Sequence, residues 1–358
     1  MKNRHPKIQV TSNNVISAKA GIQKPLIIQD SRLRGSDEFG ILRGSLQFLI
    51  LIVAIVVATY SGSAQGAIRA EFLYNLSNFT GVEPLSWAGF AFDREQNEVY
   101  VCDTANGVVR IFNENGMEVY NFGEDGSLGN ISDVAIDEDG DILVLSYVPV
   151  IGGMNYGVTR CNFRGEPKLK VEIRNLPSEF SGILPTRIVY REGHLYLVDK
   201  NAMKVIVTDK GGLFEDGYDI LPILKLSEKQ KVNIGIVGFS VDKERNLLFT
   251  IPSLFQAFKL SPDRTLVSFG RRGSAPGRFN VVAGITSDDK GYYYLADTLR
   301  CVVMIFDKDF NFQTEFGYRG FGPGNLIAPR DLGVDKAGRV YVNQSRRRGV
   351  SVFQVKID

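Results

Sequence analysis

The chain has 358 residues, 44% of them hydrophobic and 23% charged, and a formal net charge of +2. This balance suits a globular protein and argues against a nucleic-acid binder, which needs a large surplus of cations to neutralise phosphates. Its two histidines, His5 and His194, leave almost nothing for a histidine-bound metal or a histidine-based triad.

Residues 1–43 are aperiodic and basic, and are expected to form a disordered cytoplasmic tail. Residues 44–66 carry no charge and include the apolar run from Leu46 to Ala58. No polar stripe interrupts that run, so one hydrophobic helix is expected there. The uncharged stretch exceeds the roughly 20 residues that span a bilayer, and the basic flank before it keeps the N-terminus inside. Gly62 and Ala64 resemble a signal-peptidase site, so a cleaved signal peptide and a retained anchor both stand. Either one makes residues 67–358 extracytoplasmic, in the periplasm or at a cell surface. Cys102, Cys161 and Cys301 lack metal-ligand spacing and form no disulfide framework. They read as small buried residues, with one bonded pair as the alternative.

From residue 67 onward the chain repeats. A glycine-rich loop after a strand end occurs at Phe122–Ile131, Phe269–Phe279 and Phe316–Leu326. An apolar residue and an Asp before a turn recur at Phe92-Asp93, Ile136-Asp137, Val241-Asp242 and Val334-Asp335. Turns with Gly140, Gly193, Gly291 and Gly338 follow, where glycine supplies the positive φ that tight hairpins need. A strand then ends in Asp103, Asp199 or Asp297, with Ser146, Ile251 and Asn343 in the other slots. Four short strands per unit is the pattern of a propeller blade, and six units fit before Asp358. The last unit shows three strands. The alternating segment Ala70–Leu76 is expected to supply its fourth and close the ring.

The run Ala91-Phe92-Asp93, Val99–Asn106, Val109–Phe112, Gly116 and Phe122-Gly123 resembles an NHL repeat, and Thr286–Gly317 resembles another. The resemblance implies an all-β six-bladed propeller of four-stranded antiparallel blades. It says little about activity, since such folds host many.

Asp103, Asp199 and Asp297 recur once per blade, which points to turn-capping carboxylates rather than catalytic ones. Arg271, Arg272, Arg319, Arg330, Arg346, Arg347 and Arg348 fall on loops of the last three units and are the candidate binding face for a protein or polysaccharide. No catalytic, cofactor or metal residue stands out. Trp87 is expected in the core and His194 beside an exposed hairpin turn. The leading expectation is a noncatalytic, monomeric binding scaffold in an envelope assembly. The alternative follows from propellers of lactonase type, which hold calcium with Glu, Asn and Asp from separate blades: a calcium-assisted hydrolase or lyase at the channel mouth.

Overall fold

A computed structural model describes residues 68–77, 87–93, 96–151, 153–345 and 349–357. The expected tail and hydrophobic helix lie outside these residues. Among the described residues, no helix is long and apolar enough to cross a membrane.

The described residues build six four-stranded antiparallel sheets. Blade 1 holds β2 (Trp87–Asp93), β3 (Glu98–Asp103), β4 (Val108–Phe112) and β5 (Glu118–Phe122). Blade 2 holds β6 (Asn130–Ile136), β7 (Ile142–Val150), β8 (Gly153–Cys161) and β9 (Pro167–Val171). Blade 3 holds β10 (Arg187–Arg191), β11 (His194–Asp199), β12 (Lys204–Asp209) and β13 (Phe214–Asp219), followed by the short helix α1 (Ile220–Ile223). Blade 4 holds β14 (Phe239–Val241), β15 (Leu247–Ile251), β16 (Gln256–Leu260) and β17 (Leu266–Phe269). Blade 5 holds β18 (Val282–Ser287), β19 (Tyr293–Asp297), β20 (Val302–Phe306) and β21 (Phe312–Phe316). Blade 6 holds β22 (Pro329–Val334), β23 (Arg339–Gln344) and β24 (Val350–Ile357), completed by β1 (Ile68–Asn75).

β1 pairs antiparallel with β24, with Phe72 opposite Phe353 and Ile68 opposite Ile357. The two chain ends thus share one sheet, and the edge of β24 is covered as the alternation of Ala70–Leu76 suggests. The Phe72 and Phe353 rings meet edge to face at 5.7 Å.

Apolar side chains fill the spaces between neighbouring sheets. Tyr100, Tyr196, Tyr294 and Tyr341 occupy the same place on the second strand of their blades and are almost wholly buried. Each keeps its hydroxyl hydrogen-bonded, as buried tyrosines must; Tyr294 donates to Asp288 at 2.9 Å and Tyr341 to Asp335 at 3.2 Å. Those aspartates also accept backbone N–H groups of their own turns, from Lys290 and Tyr292 and from Ala337 and Arg339. Cys102, Cys161 and Cys301 are buried free thiols on blades 1, 2 and 5.

Near the axis the inner strands come very close. A Cβ added at Gly238 would sit 2.2 Å from the Ala283 carbonyl oxygen, so only glycine fits there.

Strand direction sorts the loops onto two faces. The hairpins after each first and third strand lie on one, the turn face. The connections between blades and the turns after each second strand lie on the other, the loop face. Blade 2 departs from the even repeat: Ser146 ends no strand. β7 and β8 run on together to Val150 and Gly153, three residue pairs beyond the Asn130–Tyr147 pairing with β6. This two-stranded finger stands out from the loop face.

Candidate functional site

The loop face of blades 4 to 6 is built on one loop used twice. Gly270 and Gly317 follow β17 and β21 with left-handed φ of 98° and 111°. Each lies against an apolar side chain that ends its own loop: a Cβ would come within 2.1 Å of Phe279 or 2.4 Å of Leu326. Arg272 and Arg319 then bridge back to Phe279 and Leu326. The backbone closes on itself and throws the intervening side chains outward.

Those side chains are arginines and large apolar groups. Arg271, Arg272, Arg278, Arg319 and Arg330 are exposed. Arg319 Nη2 donates to the Leu299 carbonyl at 2.9 Å, and the Arg272 guanidinium lies 4.9 Å from the Phe255 ring centre. None of the five meets a carboxylate among the described residues. Arg300, by contrast, is spent on Glu315 through two bonds of 2.6 and 2.8 Å. Between the arginines lie Leu299, Tyr318 and Phe321, the last 78% exposed. Arg346, Arg347 and Arg348 lie outside the described residues. Trp87 begins β2, and its side chain is likewise outside them.

The three repeated aspartates sit beneath this face and are spent on backbone. Asp297 accepts N–H groups from Asn280, Val281, Leu299 and Arg300, so it ties the loop before blade 5 to the turn after β19. Asp199 accepts from Leu184, Asn201 and Ala202. Asp103 accepts from Asn106 and pairs with Arg110 at 2.9 Å. Carboxylates held this way position loops and offer no free oxygen for acid–base chemistry.

The axis itself carries an ion cluster that the sequence pattern does not reveal. Arg187 on β10 donates to Asp331 on β22 at 2.9 Å, and its Nε lies 3.5 Å from Asp133 on β6. Asp133 also accepts the Ile188 N–H at 2.9 Å. Its second oxygen, buried and without a hydrogen-bond partner, fills the space beside Gly89, where a Cβ would lie only 1.8 Å away. Burial raises the Asp133 carboxyl above its ordinary range, and Arg187 opposes this. Lys200, nearby, is lowered by burial and then by Arg187. Below the cluster is a cavity of about 130 Å³ lined by the inner strands, with Arg187 and Arg191 among its walls. Pockets for drug-sized molecules start near 300 Å³, so this one holds waters or a very small ligand. Among the described residues, no three His, Cys, Asp or Glu side chains gather as a metal ion requires.

His194 lies at the opposite, turn face, partly exposed, with Nε2 3.1 Å from Glu215. Signals for the missed groups do exist. Asp133, Arg187 and Asp331 each put a charge on the first strand of a unit, alone on β6 and beside Arg191 on β10 and Arg330 on β22. Ser146–Tyr156 alternates around Gly152-Gly153, which is a hairpin signature.

No protein-family model and no curated protein sequence matches the chain. Solved structures do. One is a protein of unknown function from Bacteroides thetaiotaomicron, 16% identical, with a TM-score of 0.57, covering 81% of this chain and 76% of that one. A virginiamycin B lyase from Staphylococcus aureus is 10% identical with a TM-score of 0.53, covering 80% and 99%. A gluconolactonase from Xanthomonas campestris is 13% identical with a TM-score of 0.51, covering 80% and 95%. At these identities the likeness is one of fold: the chain is an all-β six-bladed propeller of the shape shared by such lyases and lactonases.

Proposed function

We propose that the protein is a noncatalytic binding propeller of NHL type, held outside the cytoplasm by its N-terminal segment, whose loop face on blades 4 to 6 docks a protein or polysaccharide partner. The observation that carries this is the set of five exposed arginines with no carboxylate partner among the described residues, interleaved with exposed Leu299, Tyr318 and Phe321. Arginine and aromatic groups are what binding surfaces concentrate, since they combine contact area with a planar charged donor. A rigid ring suits the task because loops vary while blades stay fixed. Nucleic acid fits less well, as a near-neutral chain offers few cations for phosphates.

The rival is a calcium-assisted hydrolase or lyase at the channel mouth, by analogy with the lactonase and lyase neighbours. Asp133 and Asp331 on the inner strands are candidates for it; both face Arg187, and one Asp133 oxygen keeps no hydrogen-bond partner among the described residues.

The test uses alginate and poly-glutamate as polyanion probes. Wild type should bind one of them with an affinity that falls as salt rises. The triple reversal Arg271→Glu, Arg272→Glu, Arg319→Glu should lose at least about tenfold, or roughly 1.4 kcal/mol, with an unchanged melting temperature. Binding that ignores the reversal, or calcium-dependent turnover on a lactone panel, overturns the reading.

A further inference from the structure

The loop face carries a second unusual region, across the axis from the arginines. The blades follow one another around the ring in chain order, and contacts between β2 and β22 close the circle. Blade 2 therefore lies opposite blade 5, and the loop entering blade 2 lies opposite the loop entering blade 5. That first loop has Glu124 and Asp125 where the second has Arg271 and Arg272. Both acids are exposed. Asp125 is held below its usual range by bonds from Ser127, which keeps it ionised.

Beside the acidic loop stands the finger of β7 and β8. Gly129 lies against Tyr147 and Val148, so loop and finger are neighbours. The finger carries no charge from Val148 to Tyr156. Val148, Val150, Ile151 and Met154 are exposed, and Ile151 completely so. Such apolar groups gathered on one projecting element mark an interaction site more often than ordinary surface does.

We propose that two copies of the propeller dock loop face to loop face about a two-fold axis. In this pairing, the acidic loop and apolar finger of each copy meet the arginines and the exposed Leu299, Tyr318 and Phe321 of the other. The proposal rests on the loop face being a docking surface, as argued above, and replaces the monomer expected from the sequence.

The symmetry is what selects a second copy over a foreign partner. A two-fold axis lying in the plane of the face, perpendicular to the line from the loop entering blade 2 to the loop entering blade 5, places the first loop of one copy over the second loop of the other. The same rotation does so twice, so both contacts form together, as in an isologous dimer. A foreign partner needs one half of a complementary pair on this chain. Here both halves are present: acid opposite arginine, exposed aliphatic finger opposite exposed Leu299, Tyr318 and Phe321. Charges at the rim would set register and orientation, and apolar groups would supply most of the burial.

The test is a charge exchange in the full-length protein in detergent solution, read by sedimentation equilibrium. Wild type should form a dimer that weakens as salt rises. The variants Glu124→Lys with Asp125→Lys, and Arg271→Glu with Arg272→Glu, should each be monomeric where wild type is dimeric. Mixed in equal amounts they should recover the dimer, because each contact then again pairs opposite charges; a merely misfolded variant could not. Ile151→Asp with Met154→Asp should weaken the dimer at least about tenfold, since it takes charge into the apolar contact. A wild type that is monomeric at every concentration reached overturns the proposal. So does a mixture that fails to reassociate, and so does open-ended growth beyond the dimer, which means a head-to-tail contact. The polyanion probes separate the two readings. A monomer that still binds them sinks the dimer alone, and one that neither self-associates nor binds them sinks both.

Discussion

Gly123, Gly270 and Gly317 each follow the last strand of a blade with φ near 100°: 102°, 98° and 111°. Each loop then ends on another left-handed glycine, at Gly129, Gly277 and Gly324, with φ of 74°, 71° and 77°. The loop entering blade 2 and those entering blades 5 and 6 share these two glycines; the first is one residue shorter and lacks the bridge that Arg272 and Arg319 make to Phe279 and Leu326, and the three differ in what they display. The first shows Glu124 and Asp125, the second Arg271 and Arg272, the third Tyr318 and Arg319. Positions that must be glycine for backbone reasons are held in common. Positions whose side chains face water are free to differ, and there the charge changes sign. The loop glycines and the residues displayed between them can therefore vary separately on this face.

The largest effect on the comparison should come from the axis, which holds the two regions at a fixed spacing. Arg187→Met leaves Asp133 buried beside Asp331 with no guanidinium between them. Urea denaturation should show a loss of about 3–5 kcal/mol, the usual result of removing one partner from a buried pair. A loss below about 1 kcal/mol would mean that water reaches the cluster and that the pair counts for no more than a surface one.

Next come the shared glycines. Gly317→Val places a branched side chain at positive φ and drives its Cβ into Leu326, and Gly123→Val does the same against Ile131. Both should cost about 2–3 kcal/mol. Unequal costs at the two sites would show that the loops share an outline and little else.

The smallest effect should come from the displayed residues. Glu124→Lys with Asp125→Lys, and Arg271→Glu with Arg272→Glu, should each move stability by less than about 0.5 kcal/mol, as exposed substitutions do. A larger thermal shift in either would tie these charges to folding and weaken the case for recognition.

The ring was legible because its evidence repeats. Turn glycines, capping aspartates and alternating strands appear unit after unit, and the surplus strand at Ala70–Leu76 has one unpaired edge to go to. What escaped is what occurs once. The finger falls in the slot of Asp103, Asp199 and Asp297, where the repeat predicts a tight turn at Ser146; the strand pairing instead runs on to Val150 and Gly153. The axial cluster joins residues 144 positions apart, and nothing local to Arg187 or Asp331 marks them as partners until the ring is closed. Tyr318 and Phe321 lie in the glycine-rich loop Phe316–Leu326, and nothing in their residue type says that they stand exposed.

Ile68 lies at the turn-face end of β1, and Asn75 at the loop-face end. A load applied through the chain before Ile68 and resisted by whatever sits on the loop face would run along the length of β1. It would be borne in shear across the seven residue pairs that join β1 to β24, all of them strained at once instead of one after another. The joint that completes the ring is thus also oriented to bear tension, should the protein work while pulled between a surface and its cargo.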